Sequence, residues 1–100
     1  MVDQDVLLRA RVVLLSSNNR ILRGPRALEV YRVLASAAPE VYGSKLVVVL
    51  LRGAVALAGS DPAKARAVVE EAVAVAEALE ERNPFRAEVL ALALAHRELV

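Results

Sequence analysis

The side chains that could support acid–base or metal chemistry are one histidine and a group of glutamates near the C-terminal end. His96 stands beside Arg97 and Glu98 on the last apolar segment. Paired carboxylates act as acid and base, or hold a cation, when an apolar wall separates their pKa values. The predicted helix offers little apolar surface on the side of the glutamates, so we expect these side chains to form a solvated helix face. We assign no function to His96. The glutamates are Glu70, Glu71, Glu77, Glu80 and Glu81.

Other catalytic and cofactor chemistry finds no support in the residues. The chain has no cysteine, which excludes disulfides and thiolate metal sites, and a single histidine leaves only carboxylates as further metal ligands. It contains no glycine-rich phosphate loop, no nucleophile elbow and no metal-binding motif. The sequence therefore predicts a protein that is not an enzyme and that has no cofactor and no metal.

The composition favours one small folded domain spanning residues 1–100. Hydrophobic residues make up 57% of the chain, and the formal net charge is +1. No uncharged apolar run reaches the ~18–20 residues that a membrane span requires, so we expect no membrane partner. The N-terminal residues Met1 to Asp5 are acidic where a secretory signal would be basic, which favours a cytoplasmic protein.

Four prolines divide the chain into helical segments, because proline is tolerated in the first turn of a helix and disrupts its interior. Each proline follows a candidate cap residue, as in Asp61-Pro62 and Asn83-Pro84. The apolar segments between the prolines predict an all-α protein. Its helix breaks are expected at Gly24-Pro25, Ala38-Pro39, Gly59-Ser60-Asp61 and Asn83-Pro84. The five predicted helices span roughly 3–22, 25–37, 40–58, 62–82 and 84–100.

The helices differ in how much of their surface is apolar. Residues 46–51 are apolar around the whole circumference, so the 40–58 helix should be central. The 84–100 helix is apolar on more than one face. Residues 16–19 are weak helix formers, and we keep them within the 3–22 helix although a loop is the alternative. The 62–82 helix has one buried stripe, formed by Ala65, Val69, Ala72, Ala76 and Leu79.

A weak internal repeat links the second and fourth predicted helices. A shift of 45 residues places Ala27–Leu34 on Ala72–Leu79 and Pro39 on Pro84. A shift of 38 residues instead aligns the beginnings of these helices. The two registers differ by seven residues, or two turns, so both hold if the fourth helix is a longer version of the second. This pattern predicts a helical-hairpin repeat of about 40 residues.

These positions resemble the tetratricopeptide repeat (TPR), in a long-helix form common in actinobacterial proteins. That family places a glycine at the turn, followed by a small residue, an aromatic residue and an Ala-Leu pair. The chain lacks the family's tryptophan and has valine for the second aromatic residue. The resemblance implies antiparallel hairpins at roughly 3–38 and 40–83, followed by a final helix. The matching residues are Gly24, Ala27, Tyr31 and Leu34-Ala35, then Gly59, Ala65, Val69 and Ala72-Val73, with Leu51-Arg52-Gly53 on the preceding helix.

The resemblance also implies a protein or peptide partner, held in a groove lined by the first helix of each hairpin. The family often grips the partner's backbone or carboxylate through asparagine and basic side chains. Lys45 and Arg52 lie seven residues apart on one face of the apolar 40–58 helix, so each must reach solvent, an acid or a partner. The candidate partner-binding residues are Asn18, Asn19, Lys45 and Arg52.

Charge is distributed unevenly between the two ends of the chain. Residues 1–32 have six arginines against three acids, and residues 61–100 have five bases against eight acids. With 3% aromatic residues and no recognition motif, nucleic-acid binding is disfavoured. We expect the two ends to be complementary, within one molecule or between two.

Two functional classes remain open at this point. The first is a non-catalytic interaction or scaffold module, which could be a fragment of a longer repeat array. The second is a self-assembling, homodimeric bundle with a regulatory or structural role, since the apolar last helix calls for a covering surface.

Overall fold

The structure is a computed structural model that describes residues 26–99 as four helices. No strand occurs between these two residues, which confirms the prediction of an all-α architecture for this part of the chain. The predicted 3–22 helix and the break at Gly24-Pro25 lie outside the described residues. The five-helix count, the 1–100 domain and the hairpin boundaries therefore stay predictions. The helices are α1 (Ala27–Ala37), α2 (Pro39–Leu57), α3 (Pro62–Ala78) and α4 (Arg86–Leu99).

Two of the predicted helix breaks lie where the prolines place them. Helix α2 begins at Pro39, directly after Ala38, whose backbone N–H donates to the carbonyl of Leu34. Helix α3 begins at Pro62, and the carboxylate of Asp61 accepts the backbone N–H of Lys64 at 3.1 Å. Both starts use proline in the first turn, where its missing N–H has no intrahelical role.

The third described break differs from its prediction in length and in its cap. Helix α3 ends at Ala78, whereas the prediction placed its end at residue 82, and α4 begins at Arg86 rather than at Pro84. Leu79 has an extended backbone (ψ 148°), which turns the chain out of the helix. Asn83 does not cap a helix at Pro84. Its side-chain oxygen accepts the backbone N–H of Phe85 at 3.0 Å and so shapes the loop.

The loop between α3 and α4 is fixed to the start of α2. The Glu40 carboxylate accepts the backbone N–H of Glu80 at 3.0 and 3.2 Å and a side-chain N–H of Asn83 at 2.9 Å. These contacts hold the loop that follows α3 against the first turn of α2.

Helices α2 and α4 run in the same direction, because each packs antiparallel to α3. Gly43, near the start of α2, lies against Leu79 at the end of α3. Arg97, near the end of α4, forms an ion pair with Glu70 in the first half of α3. At the other end of α4, Arg86 donates to the backbone carbonyl of Leu79 at 3.0 Å. The parallel pair α2 and α4 therefore lies on one side of α3, and both helices contact it.

The core centres on α2, as its apolar circumference predicts. This helix contacts each of the other three described helices. The predicted stripe of α3, from Ala65 to Leu79, is buried at all five positions. The largest fully buried side chains come from three helices: Tyr31, Leu34, Val47, Leu50, Val69 and Val73.

Candidate functional site

An apolar groove with a volume of about 310 Å³ lies between α2 and α4. Antiparallel packing of both helices on α3 places them side by side and leaves this furrow between them. Four aliphatic side chains form its walls and floor, and Arg52 and His96 are its polar members. The lining residues are Val48, Leu51, Arg52, Val55, Leu92 and His96. We call this feature the α2–α4 groove.

Arg52 contributes an accessible positive charge to the groove. Its side chain is exposed, and among residues 26–99 it forms no ion pair. Two glutamates of α3 have arginine partners elsewhere, since Glu70 pairs with Arg97 and Glu71 with Arg32. A guanidinium beside apolar side chains is suited to hold a carboxylate while the aliphatic groups bury an apolar side chain.

Lys45 lies two turns before Arg52 on the same face of α2. Its ammonium is 5.6 Å from the centre of the Tyr42 ring, within the range of a cation–π contact. The structure thus places Lys45 and Arg52 along one edge of α2, as their spacing predicts, and brings Arg52 into the groove. The other two candidate residues, Asn18 and Asn19, lie outside the described residues.

His96 lines the groove, which the sequence did not lead us to expect. Its Nδ1 lies 2.8 Å from the backbone carbonyl oxygen of Leu92. A carbonyl oxygen only accepts, so Nδ1 must carry the hydrogen, and the bond fixes the ring against its own helix. Nε2 has no partner among the described residues. The four-residue spacing from Leu92 was the signal in the sequence, because it places both side chains on one face.

Two bidentate ion pairs fasten neighbouring helices to α3. Arg97 binds Glu70 through two hydrogen bonds, of 2.9 and 3.1 Å, which fasten the end of α4 to α3. Arg32 binds Glu71 in the same bidentate way and links α1 to α3. This hydrogen bonding raises the pKa of Arg32 above its ordinary value and keeps it charged. The Arg32–Glu71 pair is also a contact of the kind expected between the basic and acidic ends of the chain.

A second, smaller cavity of about 250 Å³ lies on the side of α2 where α1 and α3 approach each other. Its walls include Gly43, Leu46 and Leu79. Arg32 is its charged member, and that guanidinium is already bound to Glu71. This cavity therefore offers no free charge to a ligand, in contrast to the α2–α4 groove.

The described residues contain no group of three or more histidine, aspartate or glutamate side chains placed to share a metal ion. Among the four described helices, none is both long and apolar enough to cross a membrane. Comparison with protein-family models, with curated proteins and with solved structures finds no match to this chain.

Proposed function

We propose that the chain is a non-catalytic protein–protein interaction module whose binding surface is the α2–α4 groove. The observation that carries the proposal is a furrow open to solvent that combines aliphatic walls with the guanidinium of Arg52, which forms no ion pair among residues 26–99. Val55 is 64% exposed, so the apolar side chains of the groove are not simply part of the hydrophobic core. A partner segment would cover these side chains and supply a carboxylate to Arg52.

The helix arrangement supports a TPR-like stack as the framework of this module. In such a stack, the first helices of successive hairpins lie side by side and line the binding groove. Helices α2 and α4 run in the same direction and border one groove, and α3 lies behind both. We therefore propose that α2 and α4 act as first helices of successive hairpins, in a scaffold of the actinobacterial long-helix type.

Self-assembly is the second candidate function, and the surface of α4 favours it. Leu92, Leu94 and Leu99 are all exposed on this helix, and Leu99 is 81% exposed. A second copy could cover them. In that case the exposed leucines would lie in a homodimer interface rather than in a site for another protein.

The proposed function is tested by selecting partners from a display library of random peptides, with no assumption about their conformation. The selected peptides are then measured against the intact chain and against Val55→Gln/Leu92→Gln, which makes the groove polar while keeping good helix formers. We expect binding to fall by more than about tenfold, because the apolar contacts are lost. The matched control is Ala67→Gln/Ala74→Gln, at exposed positions of α3 outside the groove.

Peptides that bind all three proteins equally would overturn the assignment of the groove. A library that yields no binder would count against the binding function itself. Light scattering of the same samples tests the second candidate: a dimer that dissociates in Val55→Gln/Leu92→Gln would assign the surface to a second copy.

A further inference from the structure

Five of the six exposed large apolar side chains among residues 26–99 lie on two regular stripes, and Leu94 is the one that does not. On α2, Val41, Val48 and Val55 recur every seven residues; Val48 is half-buried and the other two are exposed. On α4, the stripe consists of three exposed residues at the same spacing: Phe85, Leu92 and Leu99. Seven residues make almost two complete helical turns, so each set lies along one face of its helix.

The two stripes lie next to each other and point along the same direction. Helices α2 and α4 are parallel neighbours, and Val48 and Val55 line the same groove as Leu92. Phe85 belongs to the α4 stripe because its carbonyl accepts the first hydrogen bond of that helix, from Val89 at 3.0 Å. Each stripe covers fifteen residues, from its first to its last member, and rises ~21 Å along the helix. The surface is therefore long and straight enough for about four turns of a third helix.

A helix is the conformation of a partner that this surface can accept. Groups of the backbone that are removed from water need hydrogen-bond partners, and a helix satisfies its own. An extended segment would need donors and acceptors along the groove, where Arg52 and His96 are the polar side chains. Two parallel stripes of seven-residue spacing match a third stripe of the same period, as in coiled-coil packing.

The charges along the edges define the partner further. Lys45 and Arg52 follow Val41 and Val48 by four residues each, so they flank the α2 stripe at equivalent positions. Residues at such flanking positions form the interhelical ion pairs that select partners in coiled coils. Neither Lys45 nor Arg52 has a carboxylate partner among residues 26–99. Matching carboxylates on the partner would recur every seven residues along this edge.

We infer that the partner presents an amphipathic helix with apolar side chains every seven residues and an acidic edge that lies against Lys45 and Arg52. On α4, Glu88 follows Phe85 by three residues, so one acid lies beside the α4 stripe in the first turn of that helix. This inference rests on the proposed function, and it specifies the chemistry of the ligand that the groove takes.

The test uses three synthetic peptides of about 21 residues, the length of three heptads. The first peptide, the acidic peptide, has leucine every seven residues along its apolar face and glutamate along one edge of that face. The second, the lysine peptide, has lysine in place of those glutamates. The third has the composition of the first in scrambled order. Binding to the intact chain is measured by fluorescence anisotropy of a peptide label. We expect the acidic peptide to bind about tenfold more tightly than the lysine peptide, and the scrambled peptide to bind most weakly.

Charge reversal in the protein provides the complementary measurement. Lys45→Glu/Arg52→Glu should reverse the preference, so that the lysine peptide binds better than the acidic one. Lys64→Glu/Arg66→Glu changes the net charge by the same amount on α3, outside the groove, and should leave the preference of the intact chain in place. A reversal in this control as well would show a general charge effect and overturn the inference.

Other outcomes also overturn the inference. Equal binding of the acidic and scrambled peptides would show that the seven-residue spacing of the partner's apolar side chains is not recognised. Equal binding of the acidic and lysine peptides would show that an acidic edge is not recognised. Self-association that the acidic peptide cannot displace would assign the groove to a second copy. If no designed helical peptide binds but library peptides bind in a groove-dependent manner, the inference fails and the proposed function stands. If neither the designed peptides nor the library peptides bind, the proposed function fails as well.

Discussion

Asn83 donates a side-chain N–H to the carboxylate of Glu40, 43 residues earlier, at 2.9 Å, and another to the backbone carbonyl of the same residue at 3.1 Å. Asn83 is buried, and its side-chain oxygen accepts the backbone N–H of Phe85. One amide therefore joins the start of α2 to the loop that leads into α4. This contact and the packing of α2 and α4 on α3 link the two helices that border the groove.

Glu40→Ala should destabilise the fold by about 1–3 kcal/mol, because one side-chain N–H of the buried Asn83 and the backbone N–H of Glu80 lose their carboxylate acceptor, while the bond from Asn83 to the backbone carbonyl of residue 40 remains. Urea unfolding followed by circular dichroism measures this loss. Glu81→Ala is the control, since Glu81 is exposed in the same loop and forms no ion pair among the described residues. Equal stability of the two variants would show that the Glu40–Asn83 contact adds nothing to the fold.

The two glycines in the interior of α2 should respond differently to alanine. At Gly53 a Cβ would meet no atom of the described part of the chain within 4 Å, so Gly53→Ala should stabilise the protein by ~0.5–1 kcal/mol through helix propensity. At Gly43 a Cβ would lie 2.7 Å from Cδ2 of Leu79. Because that buried side chain must move, Gly43→Ala should be less stable than Gly53→Ala by about 1 kcal/mol or more.

Thermal unfolding of both variants measures this difference. A gain from Gly43→Ala as large as that from Gly53→Ala would mean that α2 and α3 do not approach as closely at Leu79 as the structure describes.

Substitutions in the core should lower the free energy of unfolding, whereas substitutions of exposed groove residues should leave it almost unchanged. Leu50 is fully buried, so Leu50→Ala should cost about 2–5 kcal/mol through the lost transfer energy and the cavity left behind. Val55→Ala, on the same helix, should change stability by less than about 0.5 kcal/mol because its side chain is mostly exposed. Denaturant unfolding at equal protein concentrations measures both. A large loss from Val55→Ala would mean that this side chain supports the fold.

The exposed ion pairs should contribute little to stability. A double-mutant cycle on Arg97 and Glu70, with alanine at each position, should give a coupling of about 0.2–1 kcal/mol that falls as salt is added. Both side chains are about half exposed, so water screens their attraction. A coupling that is large and independent of salt would contradict this view of α4 as a helix fastened mainly by apolar packing.

Local sequence rules predicted the parts of the fold that depend on neighbouring residues. Asp61 and Pro62 specify the start of α3, and the three- and four-residue spacing of Ala65, Val69 and Ala72 predicts its buried stripe. These features need only the geometry of one helix. The central position of α2 follows in the same way from its apolar circumference.

Features that depend on distant contacts were not predictable in this way. The early end of α3 and the late start of α4 come from a loop that is tied to Glu40, and no local rule connects residues 40 and 83. The groove required the parallel packing of α2 and α4, so only Arg52 of its lining residues was anticipated as a binding residue. The role of His96 as a lining residue followed from that packing too.

Nuclear magnetic resonance of the ¹⁵N-labelled chain, titrated with the acidic amphipathic peptide, shows most directly whether the α2–α4 groove is the binding surface. We expect saturable shifts of the amide signals of residues that line the groove, with little change at exposed positions of α3 such as Ala67 and Ala74. The groove residues to follow are Val48, Arg52, Val55, Leu92 and His96. Saturable shifts centred on α3, or on the cavity beside Gly43, would contradict the assignment of this groove as the binding surface.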